Sequence, residues 1–233
     1  MMLGHKALIP VAGEPMVLRP LKALLASPQV GDIVVLTQDP DDLRPVIPAD
    51  PRIALRASER TIAATIAKLI DGGTAHFPVL VTTADHALLD PQMIAEFTAK
   101  ATGADLAIGV VESAPLLARF PQSRRTWLGF RGGRYSGANL FAFGSRRVLP
   151  AIGRWQSVEQ DRKKGWRILA ALGPTLLLGA VLKLRTIHES AAAIGRQLGI
   201  EIRIVEMSDP LAAIDVDKPA DHALVEDILA GRA

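Results

Sequence analysis

Short apolar runs alternate with segments of helical periodicity along the first half of the chain. The apolar runs predicted as strands are residues 32–37, 78–83 and 106–111. The segments predicted as helices are residues 16–25, 61–70 and 91–101. Continuously apolar strands between helices are typical of a parallel sheet covered on both faces. The pattern therefore predicts an α/β fold, with a mostly parallel, Rossmann-like sheet flanked by helices.

The pattern changes beyond residue 111. Turns and arginines precede a strand-like segment at residues 135–143, which indicates a mixed or antiparallel edge of the sheet. The remaining predictions are a largely helical stretch, a late strand and a closing helix, at residues 158–198, 201–206 and 221–230. Because internal repeats and low-complexity linkers are absent from the sequence, we expect a single domain over residues 1–233, with a helical insertion near 145–198.

Composition narrows the class of protein. Hydrophobic residues make up 49% of the 233 positions, which is enough for a large core and excludes intrinsic disorder. Cysteine is absent, so disulfides and thiolate metal sites are excluded. Aromatic residues reach only 4%, so a base-stacking surface for nucleic acid is not expected. Without a signal peptide, and with its longest apolar segment interrupted by Gly173 and Pro174, the chain is predicted to be cytoplasmic.

Basic residues concentrate between residues 119 and 167, where twelve Lys or Arg stand against two acids. Such a block suits an anionic small molecule, a phosphate or an acidic membrane surface, and equally a solvated basic face. Residues 161–167 lead into the apolar stretch at 168–184. This segment allows peripheral contact with an anionic membrane near a lipid-precursor acceptor, whereas the simpler interpretation is a buried helical pair.

The segment with the strongest chemical signal is Thr82-Thr83-Ala84-Asp85-His86, at the end of the apolar run 78–83. In doubly wound α/β sheets, ligands collect at the carboxyl ends of the strands. An Asp at this point is well placed to hold Mg²⁺, which proteins bind through one or two carboxylates together with substrate phosphates. The alternative is that Asp85 only caps a turn. His86 is more simply a supporting or exposed residue than a general base.

Two further segments carry candidate chemistry. Asp215 and Asp217 alternate in an extended segment, so their side chains share one face, which favours a metal-facing role over a solvated turn. Near the start of the chain, Lys6 enters an apolar strand-like run that ends in the turn Gly13-Glu14-Pro15. An ammonium in that position could bind a phosphate as a point charge.

Three segments, in their order along the chain, resemble the signature of MobA-like NTP transferases, which have a GT-A-like fold. They are Lys6 with PVAGEP, then TTADH, then IDVDKPAD. The resemblance covers nearly the whole chain. It implies that Lys6 contacts the phosphates of an NTP and stabilises charge during transfer. It further implies that Asp85 is the primary Mg²⁺ ligand. Asp217 best matches the second position on the metal side, and Asp215 is the next candidate for it.

The same resemblance implies roles for the residues that surround this centre. Binding of the nucleotide or acceptor is assigned to Ser58, Glu59, Arg60, Thr83 and Asn139, of which the first three lie in the base-recognition region and Asn139 in the acceptor pocket. The implied reaction is attack by a phosphorylated acceptor on the α-phosphorus of an NTP, with release of pyrophosphate. CTP or GTP is favoured as the nucleotide.

The resemblance also predicts an apolar strand and a glycine-rich loop, of the form LAxGxGxR, directly before Lys6, where the printed sequence has five residues. Backbone amides of such a loop cradle a triphosphate. Two other functions remain open from the sequence. One is a non-catalytic relative with a regulatory or scaffolding role. The other, ranked last because TTADH is not an Asp-x-Asp motif, is a glycosyltransferase of the related GT-A fold.

Overall fold

The computed structural model describes residues 6–73, 75–123, 125–159 and 184–233. The strands of these ranges are β1 Pro10–Val11, β2 Glu14–Pro15, β3 Ile33–Thr37, β4 Ile53–Ala57, β5 Val79–Val81, β6 Leu106–Glu112, β7 Leu128–Phe130, β8 Gly133–Phe143 and β9 Ile202–Glu206. The α-helices are α1 Leu18–Leu25, α2 Pro40–Leu43, α3 Ile62–Asp71, α4 Pro91–Ala101, α5 Ser113–Arg119, α6 Leu149–Glu159, α7 Ile187–Leu198 and α8 Pro219–Leu229.

The main sheet has the strand order β5-β8-β6-β9, with β7 paired to β8. β6 and β9 are parallel, and β8 runs antiparallel to β5, β6 and β7. β3 and β4 form a separate parallel pair. The α/β class and the antiparallel strand near residues 135–143 are therefore confirmed. Apart from the two-stranded sheet of β1 and β2, the strands of the described ranges form two sheets, because no described strand is hydrogen-bonded to both.

Strand β8 separates two layers of helices. Its alternate residues Ala138, Leu140 and Ala142 belong to the apolar cluster that contains Phe97 of α4. Phe143, on the opposite face of the strand, packs in a second cluster with residues of α3 and α6. Because successive strand side chains point to opposite faces, one strand contributes to both clusters. The molecule thus has the helix–sheet–helix layering that the apolar runs predicted.

Helix boundaries follow local capping chemistry. Asp90 accepts a hydrogen bond from the Met93 N–H at 2.8 Å and begins α4, as its position before Pro91 predicted. Helix α7 begins with a capping box formed by Thr186 and Glu189. These short polar contacts satisfy backbone N–H groups that a helix start leaves unpaired.

The region around Lys6 differs from the predicted strand. Residues Lys6–Leu8 form a single 3-10 turn, and β1 and β2 form a small antiparallel hairpin. The hairpin turns through Ala12 and Gly13, which have φ values of 50° and 81°. This left-handed turn reverses the chain at once, so the apolar run is too short to become a long strand.

Part of the predicted helical insertion lies outside the described residues. Helices α6 and α7 flank it, and residues 160–183 are not described. Residues 161–183 of the basic and apolar segment proposed for membrane contact fall in that range. No helix in the described ranges is long and apolar enough to cross a membrane. Helix α5 was not predicted, because its seven residues carry too little periodicity to be recognised.

Asp105 connects three parts of the sheet: the start of β6, the start of β9 and the end of β8. It lies at the edge of the sheet opposite the carboxyl ends of the parallel strands. Its carboxylate accepts hydrogen bonds from the Ser145 hydroxyl at 2.6 Å and from the Glu201 N–H at 2.9 Å. Arg147 lies 3.2 Å from the same carboxylate. The hydrogen bonds from Ser145 and Glu201 hold the pKa of Asp105 below its usual value. This buried acid therefore fixes where β6 and β9 begin relative to the end of β8.

Replacing this acid should destabilise the fold. Asp105→Ala is expected to lower the free energy of unfolding by about 2–4 kcal/mol at pH 7, because it leaves buried donors without an acceptor. Urea denaturation measures the change, with Asp71→Ala, at an exposed ion pair, as a control that stays close to wild type. Because the pKa of Asp105 is lowered in the folded protein, its ionised carboxylate adds stability at neutral pH that is lost below about pH 4. The difference in free energy of unfolding between wild type and Asp105→Ala should therefore narrow there. If Asp105→Ala and the wild-type protein were equally stable at pH 7, the structural role of Asp105 would be contradicted.

Candidate active site

Two acidic segments from distant parts of the sequence meet beyond the carboxyl end of β5. The backbone N–H of Val216 donates a hydrogen bond to the carbonyl oxygen of Asp85 at 3.1 Å. This bond places the segment before α8 alongside the turn that follows β5. Asp217 is thereby brought to the same side of the sheet as Asp85.

The Lys6 ammonium lies between these two acids. Its Nζ is 2.5 Å from Oδ2 of Asp85 and 2.6 Å from Oδ1 of Asp217. The side chains of Lys6 and Asp217 are 45% and 61% exposed, so this side of the cluster is open to a ligand. Three residues from three separate motifs of the sequence therefore form one centre.

Helix α8 holds the hairpin that follows Lys6. Glu226 accepts a hydrogen bond from the Ala12 N–H at 2.7 Å, and Nε2 of His222 lies 2.6 Å from the Pro10 carbonyl oxygen. Because Asp217 lies directly before the same helix, α8 positions both the acid and the lysine segment. The contact between Lys6 and Asp217 therefore depends on α8, which supports the segments of both residues.

Asp85 is held by its own turn as well. The Thr83 hydroxyl donates to Oδ1 of Asp85 at 2.5 Å, so the other oxygen is directed to Lys6. Partial burial lowers the pKa of Lys6, but hydrogen bonds and charges from Asp217 and Asp85 outweigh this effect and raise it overall. The lysine is therefore cationic at neutral pH.

Asp215 lies in a different environment from Asp217. Nη1 of Arg125 is 2.8 Å from one of its oxygens, and the Asn139 amide donates to the other at 3.0 Å. Arg125 and Asp215 are only 16% and 17% exposed. Asn139 has a φ of 50°, at an irregular point of β8. Both carboxylate oxygens are thus engaged, which favours a positioning role for Asp215.

His86 is buried directly behind this cluster, with 1% of its surface exposed. Its Nδ1 lies 3.3 Å from the Thr82 hydroxyl, and its Nε2 has no hydrogen-bond partner among the described residues. Burial lowers the pKa of His86 to about 4, although the negative charges of Asp215 and Asp85 oppose the shift. The histidine is therefore neutral and enclosed, which agrees with a supporting role.

The three residues assigned to base recognition follow β4. The Ser58 N–H donates to the Thr37 carbonyl oxygen at 2.7 Å, which joins the ends of β3 and β4. Glu59 forms an ion pair with Lys68 at 2.5 Å, and Arg60 is exposed. Among the described residues, the hydrogen bonds and ion pairs of the Lys6 side chain go to Asp85 and Asp217 and do not reach this segment.

The chemistry of the centre suits a hard divalent cation. Asp85 and Asp217 present carboxylate oxygens on either side of one positive charge, and Mg²⁺ prefers such oxygens together with phosphates and water. In the described ranges there is no group of three or more His, Cys, Asp and Glu that could hold a metal by itself. Two carboxylates are suited to a Mg²⁺ ion whose other ligands are substrate phosphates and water.

Arg125 is the site residue that sequence analysis did not single out. It was one of twelve basic residues in a block, and no motif separated it from its neighbours. Only its contact with Asp215 distinguishes it. Its Nε also lies 3.5 Å from the Ser136 hydroxyl, so it connects β8 to the segment before α8.

Removal of Arg125 should leave the Asp215 charge without its partner in a largely buried position. Arg125→Ala is expected to lower the free energy of unfolding by about 3 kcal/mol, the usual effect of breaking a buried pair on one side. Chemical denaturation measures it. The matched variant Arg131→Ala breaks an exposed pair with Glu189 and is expected to remain close to wild type. If the two variants were equally stable, the pair would have no structural role.

The buried histidine should make stability depend on pH. His86 stays neutral in the folded protein down to about pH 4, whereas an unfolded histidine takes up a proton near pH 6.5. Stability is therefore lost as pH falls from about 6.5 to 4, by an amount on the order of 3 kcal/mol. His86→Asn should flatten this part of the profile in urea titrations at several pH values. His76→Asn, at an exposed histidine, should retain it.

Comparison with known proteins agrees with this architecture. A family model, the MobA-like NTP transferase domain, matches residues 1–175. A hypothetical transferase from Thermus thermophilus is 27% identical, with a TM-score of 0.80 over 95% of this chain and 91% of that chain. Among curated proteins, none matches the sequence.

Two more distant structures share the fold. A CMP:2-keto-3-deoxy-manno-octonic acid synthetase complexed with CTP is 13% identical, with a TM-score of 0.62 over 98% of this chain and 92% of that one. A 2-C-methyl-D-erythritol 4-phosphate cytidylyltransferase from Thermus thermophilus is 17% identical, with a TM-score of 0.53 over 97% and 94%. The GT-A-like nucleotidyltransferase fold expected from the sequence is thus confirmed. The chain belongs to the MobA-like NTP transferase domain family and is a nucleotidyltransferase.

Proposed function

We propose that this enzyme transfers a nucleoside monophosphate from an NTP, CTP or GTP by preference, onto a phosphorylated acceptor in a Mg²⁺-dependent reaction. The observation that carries the proposal is the placement of Lys6 between Asp85 and Asp217, beyond the carboxyl end of β5. In sheets of this type, ligands bind at that end of the strands. The family assignment favours this enzyme over a non-catalytic relative.

Asp85 and Asp217 are the residues that would hold the metal. Bound there, Mg²⁺ would neutralise phosphate charge and polarise the phosphoryl oxygens. Thr83 keeps the Asp85 carboxylate in a fixed orientation through its 2.5 Å hydrogen bond. Asp215 supports the adjoining segment through Arg125 and Asn139. We therefore assign metal binding to Asp85 and Asp217 and a positioning role to Asp215.

Lys6 supplies the positive charge that the transferred group requires. An oxygen of the acceptor phosphate attacks the α-phosphorus, and the bond to the leaving pyrophosphate breaks. Alignment and charge stabilisation carry most of such a reaction, and no protein nucleophile is needed. His86 takes no part in proton transfer in this scheme, because it is enclosed and lacks access to a substrate.

Substrate selection rests on two further surfaces. The loop with Ser58, Glu59 and Arg60 follows β4, and its backbone is anchored to β3, so it can present fixed groups to a base. The CTP complex and the cytidylyltransferase among the similar structures support a cytidine nucleotide. The position of Asn139 beside Asp215 and the basic composition of residues 119–167 favour an anionic acceptor, such as a phosphate ester or a lipid precursor.

The proposal is tested by pyrophosphate release. The protein is incubated with Mg²⁺, each of the four NTPs and a panel of phosphorylated acceptors. We expect release with one nucleotide, and a loss of at least about 100-fold in Asp85→Asn, which keeps the shape of the side chain but removes its charge.

Asp227→Asn is the matched control, because Asp227 forms an ion pair with Arg232 on the far end of α8. It should retain the wild-type rate. Calorimetric titration of each NTP is run beside the assay. Equal rates in Asp85→Asn and wild type would refute the assigned metal role, whereas absence of both pyrophosphate release and NTP binding would refute the transferase proposal.

A further inference from the structure

The contact of Lys6 with both acids bears on how the metal enters. The two carboxylate oxygens that flank Nζ lie within about 5 Å of each other, the sum of their distances to the nitrogen. The same two carboxylates are assigned to the metal under the proposed function, on which this inference rests. An ammonium and a divalent cation cannot occupy one position between two carboxylates.

We propose that the Lys6 ammonium is a tethered competitor for the divalent cation. In the free protein it occupies the position between Asp85 and Asp217, and it leaves when the metal arrives with the nucleotide. Its released charge then binds the phosphates, so the same side chain serves two sites in turn.

The local structure allows this movement. The Lys6 side chain is nearly half exposed, and a lysine has a long stem with several rotatable bonds. Asp85, in contrast, is held by Thr83, and the backbone next to Asp217 is held by the Val216–Asp85 hydrogen bond. The Asp85 carboxylate and the backbone next to Asp217 therefore stay in place while the lysine moves.

Competition has a thermodynamic consequence. Metal binding to the free protein must displace an ion pair, so the metal alone binds weakly. A nucleotide offers the displaced ammonium new anionic partners, which lowers the cost of displacement. Because coupling between two ligands is reciprocal, metal and nucleotide each strengthen the binding of the other.

The test measures metal binding, without turnover. Mn²⁺ serves as the probe, and its binding is followed by electron paramagnetic resonance in the absence of nucleotide. Lys6→Met removes the competing charge, so it should bind Mn²⁺ about tenfold more tightly than wild type, within the usual range of coupling between sites. If the tighter Mn²⁺ binding of Lys6→Met is lost in the double variant Lys6→Met/Asp217→Asn, the ion lies between the two acids.

Lys218→Met is the matched control for a general change in charge. Lys218 is the exposed residue next to Asp217, so its removal changes the local potential by the same unit charge without freeing the position between the acids. Only a small change in Mn²⁺ affinity is expected. If Lys218→Met tightened Mn²⁺ binding as much as Lys6→Met, or if Lys6→Met did not tighten it, competition would be refuted.

A second readout uses the unmutated protein and so does not depend on the folding of a variant. Acetic anhydride labels free amines, and mass spectrometry reports the extent at each lysine. Mg²⁺ alone should raise the labelling of Lys6, because it releases the amine from its carboxylates, and should leave Lys100 unchanged. Unaltered labelling of Lys6 at saturating Mg²⁺ would overturn the proposal.

The outcomes separate this inference from the proposed function. Pyrophosphate release that depends on Asp85, combined with no gain of Mn²⁺ affinity in Lys6→Met, would refute competition and leave the transferase in place. Tighter Mn²⁺ binding in Lys6→Met, combined with no pyrophosphate release and no NTP binding, would support competition and refute the transferase reaction.

Discussion

Charge balance around Asp85 is the constraint on which the site depends. Two carboxylates brought together by the fold repel each other unless a cation lies between them. Lys6 provides that cation in the structure, with both Nζ–oxygen distances near 2.6 Å or below. In the described part of the chain, three elements hold the residues of this contact in position: the turn after β5, the hairpin after Lys6 and the start of α8.

A second layer of polar contacts supports the first. Arg125 and Asn139 engage both oxygens of Asp215. Buried polar groups of this kind are costly unless they are paired, and a paired cluster has a single arrangement. The cluster thereby fixes the segment that carries Asp217, and it explains how an exposed acid can keep a defined position.

Much of the fold could be predicted from periodicity. The apolar runs that became β3, β5 and β6 and the capping signal of Asp90 for α4 are local features of the sequence. The resemblance brought Lys6, Asp85 and Asp217 together as candidates, and the structure brings them into contact. The sequence did not single out Arg125 as the partner of Asp215, because alternation in an extended segment shows a shared face but not a partner.

The sequence by itself determined the α/β class and the layering of apolar strands between helices, because these depend on periodicity. Residue types and the family resemblance supplied only the candidates for phosphate chemistry. Only the tertiary structure decided which carboxylate meets Lys6 and which meets Arg125. It also decided that the Lys6 segment is a turn and hairpin, and that the described strands after β2 form two sheets. The physical reason is that ion pairs and strand pairing join residues far apart in the chain, where local pattern carries no information about distance.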